Sequence, residues 1–348
     1  MKQRYQIARW VGHQHWCRGR GRPVSLLCPP DGGFGEEFNL EFFGHRYHGL
    51  LDDFIDRHVY LFGGWELHIL ALMSQLTKAY RAVTTRPVTY VDVGANTGQH
   101  ALFMSGHADN VICFEPFEPV RRRLEARVVS NRLHNISVVP LALSAQAGTS
   151  FYYSPEGRNQ GTGSLVPAFC AGNRSAPIVV GTDVGDNYFQ NHSNRAITVL
   201  KIDVEGGGRG VLEGLRETLL RCRPAVILEL SEYTRTDIGS LARLYDLLYP
   251  AAVAFTIGHI PGRVGYRLQE CDFEAPNDIL IMPLELSTAL PLSASFGSVP
   301  TSPRGTSDHH RTLLPKEPAP TQKPVASSRK MRVDQRSPMR TRGPADIS

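Results

Sequence analysis

Residues 91–98 read Val91-Asp92-Val93-Gly94-Ala95-Asn96-Thr97-Gly98. A short β-rich run, Val88–Val93, carries a carboxylate at its end and passes into a turn with two glycines. Ala101, Leu102 and Met104 then predict a helix. Strand, glycine turn and helix form the opening unit of a doubly wound α/β sheet. The second strand, Val111–Phe114, closes with Phe114-Glu115-Pro116, placing Glu115 23 residues after Asp92. A carboxylate there can accept hydrogen bonds from both hydroxyls of a ribose. The ligand is expected beyond the carboxyl ends of the strands.

Working outward, a helix begins near Pro119, a residue tolerated in the first turn, and carries Val120, Leu124 and Val128. Ile136–Leu143 reads as a third strand, Ile197–Ile202 as a fourth and Ala225–Leu230 as a fifth. Helices are predicted through Val211, Leu212, Leu215 and Leu219, and through Ile238, Leu241, Leu244 and Leu248. Val253–Ile257 and Ile279–Met282 flank a turn-rich stretch with Pro261-Gly262, which predicts a closing antiparallel pair. Upstream, Leu67, Ile69, Leu70, Met73, Leu76 and Tyr80 predict an amphipathic helix over 66–82. Residues 150–195, rich in Gly, Asn and Ser, are expected to loop over the sheet edge, and residues 1–45 to form an irregular lead-in. The expected fold is α/β, a doubly wound, mostly parallel seven-stranded sheet. Its expected parts are an N-terminal extension at 1–60, one catalytic domain at 61–286 and a disordered basic tail at 287–348.

Composition narrows the class. The 41% hydrophobic and 20% charged residues suit a globular chain with a sizeable core. The net charge of +5 is concentrated at the end: residues 301–348 hold ten Lys/Arg against four acids, leaving a near-neutral body. That body offers no electrostatic channel for nucleic acid, and none is expected as partner. Six scattered cysteines without a CxxC pair fit a reducing compartment. No apolar h-region follows the basic N-terminus, and no run approaches a bilayer span of roughly 20 residues, so a cytoplasmic location is expected. His13, His15, Cys17 and Cys28 match no standard zinc spacing.

The identity of the ligand turns on Asn96. A dinucleotide fold uses G-x-G-x-x-G, whose second glycine admits a pyrophosphate, and here that position is Asn96. Asp92 would add a negative charge beside the phosphates. S-adenosylmethionine carries a sulfonium and an ammonium and no phosphate, so an acidic first turn suits it. An NAD-dependent oxidoreductase is the disfavoured alternative. Candidate cofactor-binding residues are Asp92, Gly94, Ala95, Asn96, Gly98, Glu115 and Ala142.

Taken in order, Phe62-Gly63-Gly64-Trp65-Glu66, VDVGANTG at 91–98, FEP at 114–116, VVPLALS at 138–144, Thr182-Asp183, LKIDVEG at 200–206 and RPAVILEL at 223–230 resemble the FkbM-type methyltransferase family. So does the helix end marked by Leu124, Asn131 and Asn135, and the likeness runs from about 60 to 283. The resemblance implies a class I, Rossmann-like fold and methyl transfer from S-adenosylmethionine, usually to a hydroxyl of a sugar, lipid or polyketide-like product. The acceptor would be a small molecule or glycan. One departure follows Gly206: the family usually continues with Ala and a second acid, whereas this chain has Gly207-Gly208-Arg209. Glycine costs about 1 kcal/mol per helical position, so a loose helix start is expected, and a non-catalytic cofactor-binding relative is the second reading.

Methyl transfer to a hydroxyl requires alignment, exclusion of water and a proton acceptor. Asp203 ends the strand 197–203 and Glu205 follows two residues on; extended backbone would set both carboxylates on one side. Glu205 as a helix cap is the competing role. Glu229, at the end of the next strand, is the second candidate base, and His100 reads as a packed or solvated side chain. Asp203 and Glu205 without a third partner are not expected to hold a metal.

Overall fold

In the computed structural model the described residues are 3–17, 19–29, 35–154, 163–167, 176–192 and 196–295. The chain opens with helices α1 (Gln3–Gly12) and α2 (Gly21–Leu27), the hairpin β1 (Glu37–Phe42) and β2 (His45–Leu50), and helix α3 (Phe54–Phe62). The described residues of the lead-in expected to be irregular over 1–45 therefore include two helices and the start of a hairpin. Tyr5, Ala8, Val24, Phe38 and Tyr47 are buried in the same apolar cluster as Tyr90 and Val111 of the central sheet. Helix α4 (Leu67–Val83) covers the sheet on that side, as its apolar spacing predicts.

The α/β alternation then follows: β3 (Thr89–Val93), α5 (Gln99–Ser105), β4 (Asn110–Phe114), α6 (Glu118–Ser130) and β5 (Ile136–Val139). The third strand is shorter than expected. Pro140 cannot donate to the ladder, and the chain leaves the sheet there to form β6 (Ala142–Ser144). With β7 (Gly148–Tyr152) and β8 (Ile178–Val184), β6 builds a separate three-stranded sheet where loops were expected. Next come α7 (Gly185–Asn191), β9 (Val199–Ile202), α8 (Gly208–Gly214), α9 (Arg216–Cys222) and β10 (Ala225–Leu230). The following helix is broken at Gly239 into α10 (Glu232–Ile238) and α11 (Leu241–Leu247). The chain closes with β11 (Ala252–His259), β12 (Gly265–Glu270), β13 (Asn277–Pro283), α12 (Leu284–Ser287) and β14 (Ser293–Ser295).

The large sheet has the order β14-β12-β11-β13-β10-β9-β3-β4-β5. Its expected seven-stranded body runs from β5 to β11: five parallel strands, then β13 and β11 as the antiparallel pair. The turn-rich stretch supplies β12, and β14 lies inside the segment expected to be tail. Leu286 and Leu290 are buried there, so the packed structure continues to Ser295. From β3 the chain winds outward through β4 and β5, then returns to start β9 on the other side of β3. That reversal opens a crevice above the carboxyl ends of β3 and β9, the position where such sheets bind ligands.

Candidate functional site

Two features shape the glycine turn. Gly94 has φ +87°, and a Cβ there would lie 1.8 Å from the Asp203 carbonyl oxygen, so only glycine lets β3 and β9 approach this closely. Gly98 (φ +81°) faces Leu124 of α6 in the same way, at 2.2 Å. A buried guanidinium fixes the turn from behind: Arg127 donates to the Thr97 carbonyl, to the His48 carbonyl (2.9 Å) and to Asp56 (2.8 Å). Asp56 also accepts from Tyr47 and Arg123, tying the N-terminal hairpin, α3 and α6 into one support. Asn131 and Asn135 serve structure too, bonding to the backbone of Arg46 and of Ser105 and Ala108.

Two cavities meet at this turn. The first, about 250 Å³, lies over Gly94 and Asn96 and is walled by Glu115, Ala142, Tyr152 and residues 203–207. The second, about 130 Å³, lies on the other side of the turn and is lined by Phe54, Trp65, Glu66, His100, Lys201 and Glu229. Gly94, Asn96, Asp203 and Glu205 border both. Ala95 and Gly98 reach only the second, Ala142 and Glu115 only the first. Asp92 lines neither cavity and is wholly buried beneath the turn.

Glu115 accepts from the amides of Asn96 (2.8 Å) and Phe117 (2.8 Å), which holds its carboxylate at the rim of the first cavity. Burial outweighs those bonds and pushes its pKa up to about 7. Asp92 lies beside the Tyr90 hydroxyl, and burial pushes its pKa up to about 6. The nearby Lys201 charge offsets part of the cost of that burial.

The chemistry concentrates where the cavities join. Asp203, Glu205 and Glu229 present carboxylate oxygens within 4.8 Å of one another. Among the described residues they form the one group of metal-ligating type, and Glu229 is the third carboxylate that the strand-end pair was expected to lack. The convergence does not come from extended spacing, because Glu205 turns to φ +48°. Nor does Glu205 cap the next helix: α8 starts at Gly208 without any side-chain cap bond. Gly208 fits tightly there, since a Cβ would meet Leu228 and Thr234 at 3.1 Å, while Gly207 has room.

The three acids differ in proton affinity. Lys201 Nζ donates to Asp203 at 2.5 Å; its charge overrides the burial and holds Asp203 below the usual carboxylate range. Glu229 is pushed far above that range, first by burial and then by the charges of Asp203 and Glu205. Glu205 lies between, raised to about 7 by burial and by Asp203. Sequence reasoning missed Lys201 and Glu66. A lysine within the buried strand Val199–Ile202 is itself a signal, because lysine is almost never fully buried without a partner. Glu66 adopts φ +49°, and its Oε2 lies 3.4 Å from His100 Nε2 and 3.9 Å from Lys201. Gln99 clamps the backbone of Trp65 through two hydrogen bonds and so fixes that corner. His100, expected to be a packed or solvated side chain, is buried and lines the second cavity, with burial holding it neutral.

A parallel sheet reversed beside its first strand, a glycine turn over the crevice and an acid closing the second strand define the class I methyltransferase fold. The family model for the methyltransferase FkbM domain matches residues 92–273, more than half of the chain, and the chain belongs to that family. No curated protein matches it. Among solved structures it is similar to methyltransferase FkbM from Methylobacillus flagellatus (15% identity, 80% of this chain and 59% of that one, TM-score 0.38). It is also similar to a SAM-dependent methyltransferase from Agrobacterium tumefaciens (11%, 73% and 72%, TM-score 0.39). A third is an O-methyltransferase from Bacillus cereus in complex with SAH (12%, 63% and 80%, TM-score 0.35). The chain thus spans less than two thirds of the length of the first of these. Among the described residues no helix is long and apolar enough to cross a membrane.

Proposed function

We propose that the protein is an S-adenosylmethionine-dependent O-methyltransferase acting on a hydroxyl of a glycan, lipid or secondary metabolite. The observation that carries this reading is the meeting of two cavities at three carboxylates of graded proton affinity. The residues fit the cofactor. Glu115, held at the rim of the first cavity by two backbone amides, is the residue we assign to the ribose, and Gly94 lets β3 and β9 close together beneath the crevice. The surplus of acids around Lys201 favours a cationic ligand. When bound, the cofactor supplies an electrophilic methyl on a cationic sulfur.

The acceptor then approaches from the second cavity. Asp203, kept anionic by Lys201, provides fixed negative charge; Glu229, kept protonated by its neighbours, can donate a hydrogen bond that orients the hydroxyl. Glu205 takes the hydroxyl proton, since a base is most effective with a pKa close to the working pH. Calorimetry with S-adenosylmethionine and with NAD tests the cofactor, and methyl transfer to a panel of hydroxylated glycans, lipids and metabolites tests the activity. Binding of NAD in place of S-adenosylmethionine would overturn the reading. Cofactor binding without turnover on any hydroxyl would leave a binding protein instead of an enzyme.

A further inference from the structure

We propose that the N-terminal helix pair is a docking surface for an anionic lipid membrane. The first thirty residues contain Lys2, Arg4, Arg9, Arg18, Arg20 and Arg22 and no Asp or Glu. Helix α1 buries Tyr5, Ala8 and Gly12, with Gly12 pressed against the Leu61 carbonyl of α3. Its opposite face leaves Ile7 47% and Trp10 68% exposed. Trp16, 74% exposed, is tied to the same turn: its indole donates to Gln14 Oε1 (3.2 Å), and Gln14 Nε2 donates to the Trp10 carbonyl (3.1 Å). Leu26, on the second helix, is 83% exposed, and Arg4 and Arg22 lie in solvent beside these residues in sequence.

Single exposed apolar residues are ordinary on a soluble protein, but here four large ones fall within twenty residues of a segment that lacks acids. Two of the chain's three tryptophans are among them. Indoles and aliphatic side chains with guanidiniums and no carboxylates suit a membrane interface: apolar groups enter the headgroup layer and cations meet lipid phosphates. A second copy of the chain is disfavoured as occupant, because two such surfaces would bring like charges together. Nucleic acid is disfavoured because Ile7 and Leu26 offer no ring for base stacking.

The test uses the full chain with vesicles of phosphatidylcholine, with and without phosphatidylglycerol. Co-sedimentation and tryptophan emission are the readouts. Anionic vesicles should bind the protein and shift its emission to the blue, and raised salt should release it. Trp10→Ala and Trp16→Ala should each weaken partition by at least about tenfold, the effect of withdrawing a large apolar side chain from the interface. Their melting temperatures should stay unchanged, because both side chains are exposed. Equal partition of wild type and the double variant would overturn the proposal and assign any binding to the basic segment after 301. Absence of binding to anionic vesicles would overturn it as well. So would a wild-type dimer in light scattering that Trp10→Ala dissociates.

Discussion

Replacing Glu205 by Gln separates its possible roles, because the amide keeps the shape and loses the ability to take a proton. Burial and the Asp203 charge place the Glu205 carboxyl at about pH 7. If its ionised form is the base, wild-type kcat/KM should rise about tenfold per pH unit below 7 and level off above it. At pH 5 it would stand at about one hundredth of the plateau. Glu205→Gln should lower the plateau by about a hundredfold to ten-thousandfold and abolish that ascending limb. Cofactor affinity by calorimetry should hold within a few-fold. Lys201→Met adds a second reading of the same carboxyl: Lys201 stabilises the Glu205 charge, so its removal should move the limb to higher pH. A Glu205→Gln enzyme with wild-type turnover and an unchanged limb would refute the assignment of the base to Glu205. Loss of stability with normal turnover would instead indicate a structural role.

Three further outcomes are expected. Gly94→Ala should abolish cofactor binding and cost more than about 2 kcal/mol in chemical denaturation, since its Cβ would strike the Asp203 carbonyl, whereas Gly207→Ala should be tolerated. Ending the chain at Ser287 should lower the melting temperature by about 5 °C or more, because it removes buried Leu290, the β14 ladder and the bonds from Tyr266 and Leu268 to residues 291 and 292. Asp92 and Glu115 have folded pKa values of about 6 and 7, above their unfolded values, so the native state holds their protons longer. Their contribution to stability is complete in acid and is lost as pH rises through those values, and Asp92→Asn with Glu115→Gln should flatten denaturation midpoints across that window.

Local pattern carried much of this fold. The β3 run, the Gly94 and Gly98 turn, Glu115 and the later strand–helix alternation were legible because buried parallel strands and helices imprint distinct apolar spacing. The N-terminal helices were not: α1 has a narrow buried stripe of Tyr5, Ala8 and Gly12, with Ile7 and Trp10 outside it, which hides the helical period. The small sheet was not legible because β7 is largely exposed and the apolar start of β8, Ile178-Val179-Val180, is short and sits among Gly, Asn and Ser. In the site, Asp203, Glu205 and Glu229 could be named from strand ends, but their convergence depends on β9 and β10 being neighbours and on the left-handed turn at Glu205. Glu66 lies 137 residues from Asp203 in sequence, and only tertiary packing of α4 beneath the crevice unites it with Lys201.

The charge inventory beneath the crevice bears on which ligand the site can accept. Glu66, Asp92, Asp203, Glu205, Glu229 and Asp278 all act on one another or on a single cation, Lys201. Asp278 pairs in register with Glu229 on the adjacent strand, so the excess is built into the sheet itself. Burial first, and the neighbouring carboxylates after it, favour retained protons, so every one of these acids except Asp203 has a raised pKa. A pyrophosphate brought to Asn96 would add charge of the same sign to a region already short of cations. A ligand carrying positive charge would relieve the repulsion and favour release of the retained protons. Binding of S-adenosylmethionine near neutral pH should therefore expel protons, seen as a binding enthalpy that varies with the ionisation enthalpy of the buffer. Glu66→Gln and Asp92→Asn should reduce the number released. Proton uptake on binding would show that the cluster does not face the cofactor's cations and would remove the electrostatic reason for preferring that ligand.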